Sequence, residues 1–131
     1  MFTLNQVKQA HSKVKSGADF PSYISEIKTL GVVYYQTYVT DGHIDYYGAN
    51  NYRRSTASKY DSLTVAETSN SVQFNAALKA HQQGKTDYPT FRCDCAKSGI
   101  EKWAVCLEKR ICTYYDKAGN KILVEEIPSK L

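Results

Sequence analysis

The residues of this chain that could most readily bind a metal ion or act as nucleophiles are its four cysteines. Cys93 and Cys95 form a C-x-C pair, and on a helix residues two apart do not face each other. The pair therefore misses the C-x2-C spacing of zinc sites, and no second pair follows at the right distance. Cys106 and Cys112 fall in a predicted β-hairpin whose register places Leu107 opposite Cys112, so the two cysteines are not cross-strand partners. We expect structural cysteines, with a metal site or a reactive thiol as less favoured alternatives.

Two of the three histidines, His11 and His81, occupy matching positions near the ends of two predicted helices. Brought together, such a pair could bind a metal ion or transfer protons. Each of them, however, falls on an apolar stripe of its helix, where an imidazole usually hydrogen-bonds a nearby carbonyl. The second hypothesis for function is therefore an enzyme or small-ligand-binding protein with a pocket between the two halves of the chain, lined by His11, His81 and Cys95.

Sequence signatures of catalysis are missing. The chain has no close pair of acidic residues in a plausible cleft, no glycine-rich phosphate loop, no nucleophile elbow and no H-E-x-x-H motif. We predict no catalytic residue, metal ligand or cofactor, and an enzymatic activity is left open but disfavoured.

Tyrosine is the unusual component of the composition, with 11 residues in 131. Tyr34, Tyr38 and Tyr47 share one face of a predicted hairpin, and Arg53 and Arg54 follow in the next strand. The first half is more aromatic than the second, whose matching positions are Lys102, Cys106 and Tyr115. Exposed tyrosine and arginine are typical of protein interfaces, which indicates a protein partner. Two sheets, or two copies of the chain as a homodimer, packed at this face would explain it equally well.

The elements that position these residues occur twice along the chain. Asp19-Phe20-Pro21-Ser22-Tyr23 leads to Gly31, and Asp87-Tyr88-Pro89-Thr90-Phe91 leads to Gly99, each matched pair 68 residues apart. In both copies the aspartate can cap a helix, proline fits the first turn, and glycine suits the helix end. The same offset relates the doublets Tyr46-Tyr47 and Tyr114-Tyr115, and His11 and His81 follow at an offset of 70. We infer an internal duplication.

Each half is predicted to form two helices followed by three strands. In the first half, Thr3 and Gln6 have the spacing of a capping box, and the first helix is predicted to end at 16–18. Asp41-Gly42 predicts a type I′ hairpin turn, with Thr40 opposite His43 and Thr37 opposite Tyr46. In the second half, a two-residue turn is predicted at Lys109-Arg110. The predicted elements are helices at 3–15, 19–31, 70–82 and 87–99 and strands at 32–40, 43–47, 52–56, 100–108, 111–116 and 121–127.

This pattern predicts an α+β fold made of two α-α-β-β-β repeats, related by a pseudo-two-fold axis, with the helices packed on one side of antiparallel sheet. Residues 1–131 are expected to form a single domain with repeats at about 2–67 and 69–128, because about 65 residues alone make a marginal core. The polar stretch at 52–67 is predicted to link the repeats, with a functional loop as the alternative.

The formal net charge of +4 is spread over both halves, whereas a nucleic-acid-binding surface normally concentrates its basic residues on one face. Nucleic acid is therefore not expected as the partner, and binding through Arg53, Arg54, Lys109 and Arg110 is a third, weaker hypothesis. No stretch approaches the apolar length of a membrane span, and the first residues lack the features of a signal peptide. We expect a cytoplasmic protein with reduced thiols and no membrane contact.

Most of the length resembles a family of short bacterial proteins of unknown function, often encoded in prophages and sometimes labelled "phage envelope protein". The resemblance rests on the strings AHSKVKSGADFP at 10–21, AETSN at 66–70, KAHQQGKTDYPTF at 79–91 and YYDKAGN at 114–120. It implies an association with prophages but brings no activity, cofactor or catalytic residue. The envelope label is not matched by a membrane segment or an export signal in the sequence.

The first hypothesis for function is therefore a small cytoplasmic, prophage-associated accessory protein that binds another macromolecule. The predicted contacts are Tyr34, Tyr38 and Tyr47 on the sheet face, together with Arg53, Arg54 and the 52–62 loop.

Overall fold

The computed structural model describes residues 2–15, 19–58 and 60–127 of the chain. Within these residues each half forms two helices followed by three strands, as the sequence predicts. The helices are α1 (Leu4–His11), α2 (Phe20–Leu30), α3 (Ser71–Gln82) and α4 (Tyr88–Lys97). The strands are β1 (Tyr34–Tyr38), β2 (Ile44–Tyr47), β3 (Arg53–Ser55), β4 (Lys102–Cys106), β5 (Ile111–Tyr115) and β6 (Lys121–Glu126).

The first helix begins as predicted and ends early. Thr3 Oγ1 accepts a hydrogen bond from the Gln6 amide, and Gln6 Oε1 accepts one from the Thr3 amide, which completes a capping box. The helix ends at His11, where the Ser12 hydroxyl donates to the Gln9 carbonyl at 2.6 Å and so competes with the helical pattern. His11 is therefore exposed, not buried on an apolar stripe as predicted. The predicted end at 16–18 lies outside the described residues.

The six strands form one antiparallel sheet in the order β3-β2-β1-β4-β5-β6. The two halves join through β1 and β4, which pair edge to edge. This continuous sheet removes one alternative for the tyrosine face, because the described strands form no second sheet that could pack on it.

The strand registers fit two repeats offset by 68 residues. At the junction Gln36 lies opposite Ala104, its own equivalent at that offset. The first hairpin places Tyr34 opposite Tyr47, and the second places Lys102 opposite Tyr115, again the equivalent pair. A two-fold rotation about an axis through the sheet between β1 and β4 would exchange these positions. This symmetry fits two repeats, and that they arose by duplication stays a hypothesis.

Both predicted hairpin registers are wrong by the same shift. Thr37 lies opposite Ile44 rather than Tyr46, and Cys112 lies opposite Val105 rather than Leu107. The cause is the same in both hairpins: one residue of each pairs across the β1–β4 junction with the other half of the chain. In the first hairpin, the Val39 amide donates to the Glu101 carbonyl at 2.9 Å.

In the second hairpin, the Leu107 amide donates to the Val33 carbonyl at 3.1 Å. Val39 and Leu107 therefore do not pair within their own hairpins, and both are buried in the core. A type I′ turn needs a positive φ at both central residues. Gly42 has a φ of 77°, but the φ of Asp41 is not positive, so the turn is not type I′. A shift of two residues keeps every side chain on its predicted face.

All four helices pack on one face of the sheet, which gives the predicted α+β architecture. The core cluster joins side chains of every helix to alternate strand residues of both halves. Its largest fully buried members include Phe74, Ile24, Ile27, Ile100 and Leu107. No helix among the described residues has both the length and the apolar character needed to cross a membrane.

The segment after β3 is fastened to the core by Arg92, a buried residue of α4. Its Nε donates to the Val39 carbonyl at 2.8 Å, and its Nη2 donates to the carbonyls of Thr40 and Asp61. The Tyr60 ring lies 4.9 Å from the guanidinium carbon. Arg92 therefore ties the first hairpin and the connecting segment to the second half.

Candidate functional site

The face of the sheet opposite the helices carries the tyrosines that the sequence singles out. Side chains alternate between the two faces of a strand, and Tyr35 and Tyr46 belong to the core. Their neighbours in the strands therefore point away from the helices. These neighbours are half-buried or exposed, except for the short residues Asp45, Ala104 and Thr113, which are buried. We call this surface the open face; its central members are Tyr34, Gln36, Tyr38, His43, Asp45, Tyr47, Arg53, Lys102, Ala104, Cys106, Thr113 and Tyr115.

One row of side chains stacks across four strands of the open face. The His43 and Tyr38 rings stack at 4.4 Å and 7° between planes. Lys102 Nζ lies 5.7 Å from the centre of the Tyr38 ring and 5.4 Å from that of Tyr115. A cation over an aromatic face is attracted by the ring quadrupole, worth about 0.5–1 kcal/mol at an exposed site. The row fixes Lys102 between two rings.

A second row runs parallel to the first at the other end of the strands. The Tyr34 and Tyr47 rings lie 5.5 Å apart at 48°, and the Arg53 guanidinium carbon lies 5.8 Å from the Tyr47 ring. Cys106 continues the row opposite Tyr34. The Tyr38 ring lies between His43 and Lys102, and the Tyr47 ring lies between Tyr34 and Arg53, so the faces of these two rings are directed along the sheet.

Short polar and small residues lie between the two rows. Asp45 is only 4% exposed; its carboxylate accepts from the Ser55 hydroxyl at 2.6 Å and pairs with Arg53 Nη2 at 3.3 Å. Gln36 Oε1 is buried and has no hydrogen-bond partner among the described residues. The long side chains of the two rows thus cover a polar floor with one acceptor left unsatisfied.

The hydroxyl of Tyr34 feels the other three tyrosine hydroxyls of the open face. Burial, followed by the proximity of the Tyr115, Tyr47 and Tyr38 hydroxyls, raises the pKa of Tyr34 to about 12. Burial also raises the pKa of Tyr38. Within the described part of the chain these four hydroxyls make no hydrogen bond, which leaves each free to bond to a partner molecule or to water.

Asp41 positions the end of the first row. Its carboxylate accepts hydrogen bonds from the Ser58 hydroxyl and from the amide of His43, and it lies 2.6 Å from His43 Nδ1. The Ser58 bond is the largest of the causes that hold the pKa of Asp41 well below its usual range. The Asp41 carboxylate thus holds the imidazole that stacks on Tyr38.

Replacing Ser58 with alanine is expected to raise the pKa of Asp41 toward its ordinary value of about 3.9. A carboxyl with a lowered folded-state pKa adds stability above its unfolded-state pKa, and that stability is lost as the pH falls through the folded-state pKa. The variant should therefore be less stable than wild type near neutral pH and nearly equal to it in strong acid. Urea unfolding over an acid pH series, with NMR titration of the Asp41 carboxyl, tests this. Ser55→Ala, which removes a bond to Asp45, is the control and should leave the Asp41 titration unchanged.

The structure brings together four of the five predicted contact residues. Tyr34, Tyr38, Tyr47 and Arg53 lie on the open face. Arg54 pairs opposite the core residue Tyr46 and so points to the other side, where its guanidinium carbon lies 4.3 Å from the Tyr52 ring.

Sequence reasoning missed the contribution of the second half to this surface. Lys102 and Tyr115 lie 68 residues after Tyr34 and Tyr47, and this offset was the signal that could have identified them as members of the same surface. What the sequence does not show is the β1–β4 pairing that sets both halves side by side. The buried carboxylate of Asp45 and its ion pair with Arg53 had no signal in the sequence pattern.

The residues of the predicted pocket occupy separate surroundings. His11 packs edge-on against Tyr23 of α2 at 5.3 Å, whereas His81 stacks on Phe91 of α4 at 4.4 Å, each within its own half. Cys95 is completely buried, and burial raises the pKa of its thiol. Two cavities of about 140 and 200 Å³ lie in the first half, and none of these three residues lines them.

The remaining chemical hypotheses find little support in the described residues. No group of three or more His, Cys, Asp or Glu side chains among them could hold a metal ion. Cys112 is buried, which raises its pKa to about 12. Arg110 reaches α2, with Nη1 3.3 Å from Ser25 Oγ, so Arg110 and Arg53 do not form one basic patch.

Residues 8–126 match the model of a family described as a protein of unknown function, DUF1398. No curated protein matches the sequence.

Proposed function

This chain belongs to the DUF1398 family, whose function is unknown, and we propose that it is a binding module that recognises a protein through the open face. The observation that carries the proposal is the combination of stacked rings, the two cations Lys102 and Arg53, and four tyrosine hydroxyls without a hydrogen bond among the described residues, all on the side of the sheet that the helices leave uncovered. Surfaces rich in tyrosine and arginine supply large, rigid contact areas at low cost in side-chain entropy.

The geometry favours a different macromolecule over a second copy of the chain. Six strands at ordinary spacing and length give the face a footprint of about 500 Å². A stable interface buries about 800 Å² on each partner. A sheet-on-sheet homodimer through the open face would therefore be small, whereas a partner segment that also contacts the rim can bury more surface.

Within this proposal the protein acts as a small cytoplasmic accessory factor, associated with prophages as the sequence resemblance implies. Its role is to hold a partner, and its own residues perform no chemistry. The pocket hypothesis is not carried forward, since His11, His81 and Cys95 are each engaged in separate contacts.

Replacing Tyr38 and Tyr47 together with threonine should weaken partner binding by more than about tenfold, because each row of the open face loses a central ring. Threonine suits an exposed strand position, so the fold should be retained, as checked by circular dichroism and thermal unfolding. The measurement is a nuclease-treated pull-down from the native cell after prophage induction, followed by mass spectrometry.

Val72→Thr is the matched control, since Val72 is an exposed apolar residue of α3 on the helical side. A stoichiometric protein captured by wild type and by Val72→Thr, but not by the double variant, supports the proposal. Equal capture by the folded double variant contradicts the placement of the site.

A further inference from the structure

We propose that the partner contacts the open face with an acidic segment, whose carboxylates pair with Lys102 and accept hydrogen bonds from the surrounding tyrosine hydroxyls. This inference rests on the proposed function and adds the chemistry of the partner to it. It follows from the position of Lys102, the orientation of the rings and the accessibility of the two cations at the centre of the open face.

Lys102 is the central charge of the open face. It lies on β4, one of the two innermost strands, opposite Tyr38 on one side and Tyr115 on the other. Its ammonium group lies over both rings and makes no ion pair within the described residues. The ammonium group can only donate hydrogen bonds, so a complementary ligand must place acceptors over it.

The carboxylates of Asp41 and Asp45 are engaged within the chain, which leaves Lys102 and Arg53 as the accessible charges at the centre of the open face. Arg53 pairs with Asp45, whose carboxylate is buried, while the Arg53 side chain itself is 57% exposed. Lys121 and Glu126 stand at opposite ends of the edge strand β6. A docking segment therefore meets the outer side of Arg53 and the ammonium group of Lys102. Complementary charge steers such an encounter and fixes its register.

The rings are arranged against base stacking, the main alternative for an aromatic surface. Single-stranded nucleic acids bind by stacking bases on free aromatic faces. Tyr38 has His43 on one face and Lys102 nearby, and Tyr47 lies between Tyr34 and Arg53. For these two rings the accessible parts are the hydroxyls and the ring edges, which match carboxylate oxygens. The partner chemistry is therefore acidic and hydrogen-bond accepting, and the stacking geometry of nucleic acid is disfavoured.

The test is an NMR titration of the full chain with three probes: a short glutamate-rich peptide, a lysine-rich peptide of the same length and an oligothymidylate. The glutamate-rich peptide is expected to shift the signals of Tyr34, Tyr38, Tyr47 and Tyr115, with an affinity that falls as salt is added. Lys102→Gln should weaken this binding by about fivefold or more, whereas Lys102→Arg retains it. Lys109→Gln, in the exposed β4–β5 turn, is the matched control and should bind like wild type.

Three results of this titration would overturn the inference. The first is that the glutamate-rich peptide shifts NMR signals away from the open face, and the second is that Lys102→Gln binds it as wild type does. The third is that the oligothymidylate or the lysine-rich peptide binds in preference to the glutamate-rich peptide. Shifts of the open face that depend on protein concentration alone would identify a second copy of the chain as its occupant and also overturn it. A further outcome separates the two proposals. If the Tyr38/Tyr47 double variant loses the cellular partner but Lys102→Gln retains it fully, the inference of an acidic partner segment is wrong, whereas the proposed function as a binding module is retained.

Discussion

Replacing Gly99 with alanine should lower the free energy of unfolding by about 3–4 kcal/mol, the sum expected for a left-handed alanine and a steric clash with main chain. Gly99 follows α4 with a φ of 80°. A Cβ built on it would lie 2.7 Å from Ser69 Cα and 2.7 Å from the Thr68 carbonyl oxygen. These are backbone atoms, which cannot move aside as the end of a flexible side chain can.

The repeat supplies the matched control for this substitution. Gly31 is the equivalent residue after α2, with a φ of 109° and no atom within 4 Å of an added Cβ. Gly31→Ala should therefore cost about 1 kcal/mol, from the left-handed conformation alone. Denaturant unfolding of both variants gives the comparison. Equal losses at the two positions would show that the 68–69 segment does not pack against Gly99 as described.

Replacing Arg92 with methionine should lower the free energy of unfolding by about 3 kcal/mol, because buried carbonyls that lose their donors each cost about 1–3 kcal/mol. Methionine fills much of the same volume, so the loss reports on hydrogen bonds rather than on a cavity. The carbonyls of Val39, Thr40 and Asp61 would be left without the guanidinium. The released segment around Asp61 should also exchange its amide hydrogens faster.

Arg54→Met is the control for this experiment, because Arg54 is exposed at the edge of the sheet, and among the described residues its hydrogen bond goes to the carbonyl of its neighbour Arg53. It should change stability by less than about 0.5 kcal/mol. Unfolding by urea and hydrogen exchange by mass spectrometry provide the two measurements. Unchanged exchange near Asp61 in a folded Arg92→Met protein would contradict the role assigned to Arg92.

The sequence predicts the parts of this fold that depend on local signals. The capping box of Thr3 and Gln6, the side-chain cap of Asp87 on Thr90, and the glycine ends of α2 and α4 were all found in the structure. The alternation of the first hairpin also placed Tyr34, Tyr38 and Tyr47 on one face correctly. Such features need only a few neighbouring residues.

The parts that were missed depend on contacts between distant residues. Both hairpin registers shifted because Val39 and Leu107 bond across the β1–β4 junction, which pairs residues 62 and 74 positions apart. Arg92 occupies the position equivalent to the buried Ile24, and a pattern of apolar spacing gives no reason to expect a charge there. Its acceptors belong to segments that only the folded chain brings near α4.

The junction of the sheet has one more consequence for recognition. A surface built from two equal halves would accept the same ligand in two orientations, one turned by half a circle relative to the other. On the open face the positions exchanged by that turn differ: Tyr34 corresponds to Lys102, and Tyr38 corresponds to Cys106. The ammonium group therefore stands on one side of the centre, and a chain that binds as proposed would have a single direction. Because the two halves differ in sequence at these positions, the face has a polarity that would distinguish the head of a ligand from its tail.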